Sequence, residues 1–122
     1  MNSNELVLSV YEVVGSPLCV ASGDGQKVFE RVAGAMKESK RVVLTFKNVT
    51  SMTSAFLNAA IGQLYGAFKE EEIRAFLKVQ DMGQDDLALL KRVVDAAKEY
   101  FKDPKRAQSA FKSALGDDTD AV

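Results

Sequence analysis

The chain has 122 residues, 47% of them hydrophobic and 27% charged, so it can bury the core of one domain and has little length for a second. The formal charge of −1 gives no electrostatic reason to expect binding to nucleic acid or to an anionic membrane. The sequence contains no histidine and a single cysteine, Cys19, which excludes a serine–histidine–acid triad, an ordinary zinc site and an intrachain disulfide. We therefore expect a protein without catalytic activity or a cofactor, and an enzyme that uses carboxylates or lysines is the remaining catalytic alternative. Because the N-terminus lacks the pattern of a signal peptide, we expect it in the cytoplasm.

The first half of the chain is divided by changes in the spacing of its apolar residues. Residues 5–14 alternate as in a β-strand, and residues 18–20 predict a short edge strand, which could complete an antiparallel hairpin. After a turn at residues 22–25, apolar residues at helical spacing over residues 28–36 predict an amphipathic helix. Residues 41–46 are the most continuous apolar run and predict a central strand that is buried on both faces.

The second half predicts three helices and one more strand. A helix is expected over residues 54–68, followed by a solvated connection at residues 69–72 and a strand over residues 73–79. The acidic segment that starts at Asp81 opens the next helix, and Pro104 is a typical first residue of the last one.

This order of elements predicts an α/β fold, because alternating strands and helices are joined by right-handed crossovers into a parallel sheet. We expect a single domain over residues 1–115. It would contain a mixed, mainly parallel sheet of about four strands, with helices packed on one face and an extra C-terminal helix. Residues 116–122 predict an acidic, disordered tail.

Two polar segments have patterns that also occur in functional sites. Glycine-rich residues 22–25 precede a helix, where backbone N–H groups can bind anions, but the lysine and hydroxyl of a nucleotide-binding loop are missing. An ordinary turn is the simpler interpretation. Glu70, Glu71 and Glu72 are consecutive and cannot converge as a catalytic pair, so we interpret them as a solvated surface run.

The most informative segment is residues 42–65, in which a strand leads through a hydroxyl-rich loop into a helix. Hydroxyls at such a junction, here Thr50, Ser51, Thr53 and Ser54, cap the open backbone N–H groups of the helix. The same position suits a phosphorylated side chain, because a phosphate meets the positive end of the helix dipole. The residues alone leave both interpretations open.

This segment resembles the strand–loop–helix signature of the STAS superfamily, the anti-sigma-factor antagonists, and most closely the STAS-like domain of unknown function. The antagonists have methionine, aspartate, serine, serine or threonine, and glycine at the helix start. In this sequence Met52 matches the methionine, Thr53 replaces the aspartate and Ser54 matches the serine that is phosphorylated in that family. Ala55 stands at the next hydroxyl, and Phe56 replaces the glycine.

The resemblance implies a non-enzymatic regulatory module of bacterial signalling. Its partner would be a protein, a histidine-kinase-like ATPase or an anti-sigma factor, bound through Thr53, Ser54, Phe56 and Asn58. Ser54 would be the phosphoacceptor, and no metal is implied. A small-ligand or nucleotide-binding domain is the alternative function, and whether the chain forms a homodimer is left open.

Overall fold

The structure is a computed structural model that describes residues 4–102. Its five strands are β1 (Glu5–Ser9), β2 (Leu18–Cys19), β3 (Arg41–Thr45), β4 (Ser51–Met52) and β5 (Leu77–Gln80). Its helices are α1 (Val10–Val14), α2 (Ser22–Lys37), α3 (Ser54–Leu57), a π-helical turn (Asn58–Gly62), α4 (Leu64–Ala67), α5 (Glu70–Phe76) and α6 (Gln84–Tyr100). The predicted helix from Pro104, the acidic tail and the limit of the domain at residue 115 lie outside the described residues.

The strands form two parallel sheets, which confirms the α/β prediction. One sheet has three strands in the order β1–β3–β5, and β2 and β4 form a separate parallel pair. The predicted antiparallel hairpin is not formed, since β1 pairs with β3 and β2 pairs with β4.

The first strand is shorter than the alternation predicts, because residues 10–14 form α1. Ser9 caps this helix by accepting a hydrogen bond from the Glu12 N–H at 3.1 Å. Gly15 ends it with φ of +80°, a left-handed conformation that favours glycine, and donates to the Tyr11 carbonyl at 2.8 Å. These two caps override the strand preference of the valines and place Val10 in the core.

The segment predicted as a solvated connection and a strand is also helical over its first part. The Lys69 N–H donates to Glu72 Oε1 at 2.8 Å at the start of α5, and the helix buries Ile73. The strand begins only at Leu77, so the prediction of a strand is right for residues 77–79 and wrong for residues 73–76.

Helix α2 begins earlier than predicted, because residues 22–25 are its first turn and not a separate loop. Gly25 is buried there, and a Cβ at this position would lie 2.4 Å from the Phe56 carbonyl oxygen and 2.8 Å from Ala59 Cβ. This glycine therefore permits close packing of α2 against α3 and the π-helical turn, which accounts for it without an anion.

The core lies on one face of the three-stranded sheet. Leu44 of the central strand is fully buried and pairs in register with Leu8 and Val79. Val43, on the opposite face of β3, is also buried at 9% exposed, which confirms the predicted burial of this strand on both faces. It lies outside the continuous core cluster, and its neighbour in the register, Val7, is 63% exposed, so the burial of this face does not extend to β1.

Candidate interaction site

Thr53 is the residue that fixes the start of α3. Its hydroxyl accepts a hydrogen bond from the Phe56 N–H at 3.1 Å and donates to the Val20 carbonyl at 2.7 Å. Its backbone N–H donates to the Cys19 carbonyl at 3.2 Å. Of the four hydroxyls that the sequence indicates as capping groups, Thr53 is therefore the cap, and its side chain also ties α3 to the residue that follows β2.

Ser54 is the first residue of α3 and is exposed to solvent. Because Thr53 supplies the cap, the Ser54 hydroxyl is not needed for it. The backbone N–H groups of a first helical turn carry the positive end of the helix dipole, so an anion on Ser54 would be favoured there. This position combines accessibility with an environment that tolerates negative charge.

The other two residues predicted to bind a partner differ in exposure. Phe56 was expected to contact the partner, but it is fully buried in the core and cannot do so. Phe56 belongs to the same core cluster as Val28 and Val32 of α2. Asn58 is exposed and lies four residues after Ser54, which places both on one side of the helix.

A π-helical turn follows Asn58 and was not predicted. The Gln63 N–H donates to the Asn58 carbonyl at 3.0 Å, five residues back, which leaves the Ala59 carbonyl without this backbone donor. The Gln63 side-chain amide replaces it, donating to Ala59 at 2.8 Å and to Gln26 Oε1 of α2 at 2.6 Å. Residue spacing gives no signal for one extra residue in a helical turn, so this feature could not be found from the sequence.

Sequence reasoning also missed two apolar side chains near the start of α3. Leu18 and Val20 are 55% and 49% exposed, while Cys19 between them is buried. Pairing of β2 with β4 and the hydrogen bond from Thr53 to Val20 bring them to the start of α3. The alternation of residues 18–20 was the available signal, and it predicts one outward face for Leu18 and Val20.

Comparison with known families identifies the family of this chain. The model of the STAS-like domain of unknown function (DUF4325) matches residues 24–87, more than half of the sequence. The chain belongs to this family. No curated protein and no solved structure matches it. The matched residues of this STAS-like chain include Thr53, Ser54 and Asn58. Strand β2 lies before the matched range and is not part of it.

One charged group near the site of this STAS-like domain, the Asp24 carboxylate, acts on Cys19. Burial, and to a lesser extent the Asp24 carboxylate, raises the pKa of the Cys19 thiol to about 11, so this side chain is a neutral thiol at physiological pH. Asp24 itself is paired with Lys27 at 3.4 Å. Within residues 4–102 there is no group of three or more histidine, cysteine or acidic side chains that could hold a metal ion.

The glutamate run of the STAS-like domain has a structural role at its first residue. Glu70 accepts from Lys98 of α6 at 2.9 Å and from Arg74 at 2.8 Å, and the hydrogen bond from Lys98 is the main cause of its lowered pKa. The carboxylate therefore links α5 to α6. None of the described helices is long and apolar enough to cross a membrane.

Proposed function

We propose that this STAS-like domain is a non-enzymatic regulatory module that binds a partner protein at the start of α3, and that phosphorylation of Ser54 controls the complex. The observation that supports this most directly is the division of roles between two neighbouring hydroxyls. Thr53 uses its hydroxyl as donor and acceptor in the fold, whereas Ser54 is exposed and does not serve as the cap.

The surroundings of Ser54 suit the addition of a phosphate. Transfer of the γ-phosphoryl group from ATP to Ser54 Oγ would release ADP and the hydroxyl proton, and would add a charge of about −1.5 to −2. Negative charge in a first helical turn is stabilising by about 0.3–1 kcal/mol, so the modified chain keeps its fold. The modification then changes the surface presented to a partner without unfolding the domain.

The class of partner follows from the resemblance to the anti-sigma-factor antagonists. A histidine-kinase-like ATPase, acting both as kinase and as binding partner, fits a switch in which the unmodified hydroxyl binds and the phosphorylated one does not. Such an arrangement needs no cofactor in this chain and places the protein in the cytoplasm, where ATP is available.

Capture experiments with three variants test this function. The chain, Ser54→Ala and Ser54→Asp are immobilised and exposed to an extract of the cells that produce the protein, and retained proteins are identified by mass spectrometry. Gln84→Asp is the matched control, since Gln84 is exposed and is the first residue of α6. We expect a kinase-like ATPase to be retained by the chain, Ser54→Ala and Gln84→Asp, and to be lost with Ser54→Asp. Equal retention by all four would contradict the proposal.

A further inference from the structure

The charged residues of this protein are unevenly distributed. About one residue in four is charged overall, yet residues 13–23 and 48–68 contain no aspartate, glutamate, lysine or arginine. The second segment includes the buried side of α3 and the π-helical turn, where the absence of charge is explained by packing. It also includes Ser51, Ser54 and Asn58, which are exposed and have no such explanation.

The fold brings these two uncharged segments together. Strand β2 lies in the first and strand β4 in the second, with Leu18 paired to Ser51 in the register. The Thr50 N–H donates to the Pro17 carbonyl at 2.8 Å, so the two segments are also hydrogen-bonded at the residues just before β2 and β4. Two stretches of sequence without charged residues thus lie side by side, and the nearby charges of α2, Asp24 and Lys27, are paired with each other at 3.4 Å.

Two exposed apolar side chains lie on this surface near the start of α3. Leu18 and Val20 are about half exposed, and the Val20 carbonyl is the acceptor of the Thr53 hydroxyl. Val7 provides a contrast, because it is more exposed but lies on a sheet face that also carries Glu5, Arg41 and Lys78. A single apolar side chain among charges is normal for a surface, whereas depletion of charge together with exposed apolar groups is typical of the centre of a protein interface.

We propose that Leu18, Val20 and Ser54 form one docking surface, and that its occupant is an uncharged, apolar surface of the partner protein. This inference rests on the proposed function and specifies the chemistry of the partner. An uncharged patch offers no ion pair to a charged partner surface, and burying a partner charge against it without a compensating group is costly. The lack of charge therefore selects for an apolar counterpart.

The same chemistry explains why a phosphate on Ser54 would break the complex. The modified side chain would have to be desolvated against apolar groups, since residues 13–23 and 48–68 contain no arginine or lysine and Lys27 of the adjacent α2 is already paired with Asp24. No movement of the backbone is required. The phosphate acts by making an apolar contact unfavourable.

Site-specific crosslinking tests this surface by trapping the protein that contacts it. The photoreactive residue p-benzoylphenylalanine is incorporated at Val20 in the full chain in its own cells, and at Val7 as the matched control. The crosslinked protein is identified by mass spectrometry and purified, and its dissociation constant is measured for the chain, Val20→Asp, Val20→Thr, Val7→Asp and Ser54→Asp. Val20→Thr keeps the shape of the side chain, and the melting temperature of each variant verifies folding.

We expect one heterologous protein to crosslink at position 20 and not at position 7. Val20→Asp and Ser54→Asp should each weaken binding by more than tenfold, Val20→Thr by several-fold, and Val7→Asp by less than twofold. Crosslinks between two copies of the chain, equal crosslinking at both positions, or no crosslink at position 20 would each overturn the inference. A complex that responds to Ser54→Asp but not to Val20→Asp would overturn this inference alone. A complex that responds to Val20→Asp but not to Ser54→Asp would retain the surface and remove the proposed switch.

Discussion

The two sheets of this protein are held in different ways. The three-stranded sheet is stabilised by burial, with Leu44 at its centre fully enclosed and paired to Leu8 and Val79. The two-stranded sheet has only two residues in each strand, and hydrogen bonds from Thr53 and Thr50 to β2 and the preceding Pro17 hold it beside α3. The core thus determines the fold, whereas one side chain at the cap determines where Ser54 is presented.

The largest expected effect belongs to the buried sheet. Leu44→Ala should lower the free energy of unfolding by about 2–5 kcal/mol, because it leaves a cavity in the core. Val7→Ala in the same sheet should change it by less than about 0.5 kcal/mol, since Val7 is 63% exposed. Urea denaturation of both variants measures the difference. Similar losses would mean that both faces of the sheet are covered.

Close packing between α2 and α3 should give the next largest effect. Gly25→Ala should destabilise by about 1–3 kcal/mol, because the new methyl group would meet the Phe56 carbonyl, and backbone cannot move away easily. Gly34→Ala in the same helix has open space at this position and should stabilise by about 0.4–1 kcal/mol. Thermal or urea unfolding should show the opposite signs, and an equal effect of the two would reject the packing role of Gly25.

The cap should show a smaller effect that separates the two neighbouring hydroxyls. Thr53→Ala should cost about 0.5–2 kcal/mol, because the Phe56 N–H loses its acceptor and the Val20 carbonyl loses its donor. Thr53→Ser keeps both hydrogen bonds and should recover most of the loss. Ser54→Ala should stay within about 0.5 kcal/mol of the unmodified chain. If Ser54→Ala were the more destabilising variant in urea unfolding, Ser54 would be the cap after all.

The last prediction concerns the pH dependence of stability at Cys19, which has no effect at neutral pH and appears only in alkali. Its thiol has a pKa of about 11 in the folded chain and an ordinary value of 9.0, so the unfolded chain loses its proton first as the pH rises. The stability that the buried thiol contributes is therefore complete below about pH 9 and is lost towards pH 11. Under reducing conditions, the advantage of the chain over Cys19→Ala in urea unfolding should shrink across this range. A constant difference would show that the thiol is not buried as a neutral group.

The sequence predicted those features that depend on long, regular patterns. The periodicity of α2 and α6 and the apolar run of β3 indicated the elements and the α/β class, and the helix-start motif indicated the family. It did not predict features set by single side-chain hydrogen bonds. Ser9 and Gly15 cap a segment of alternating residues so that it forms α1. Thr53 and not Ser54 is the cap of α3, and its hydroxyl also donates to the carbonyl of Val20, which is distant in the sequence.

The candidate site shows the same limit. Ser54 could be identified because its motif is local, but Leu18 and Val20 become its neighbours only through the pairing of β2 with β4. Phe56 was assigned to the interface because its position in the motif is close to Ser54. One residue step along a helix separates a solvent-facing side chain from a buried one, as the exposed Ala55 and the buried Phe56 show, and a local motif does not determine which of the two positions faces the core.

The division of roles between Thr53 and Ser54 is tested most directly by locating the phosphate. The full chain is incubated with ATP and an extract of its own cells, and the modified residue is identified by peptide mass spectrometry, with Ser54→Ala as the control. We expect phosphate on Ser54, none on Thr53, and none in the Ser54→Ala variant. Phosphate that is retained in Ser54→Ala, or absent from Ser54 in the full chain, would contradict this division of roles.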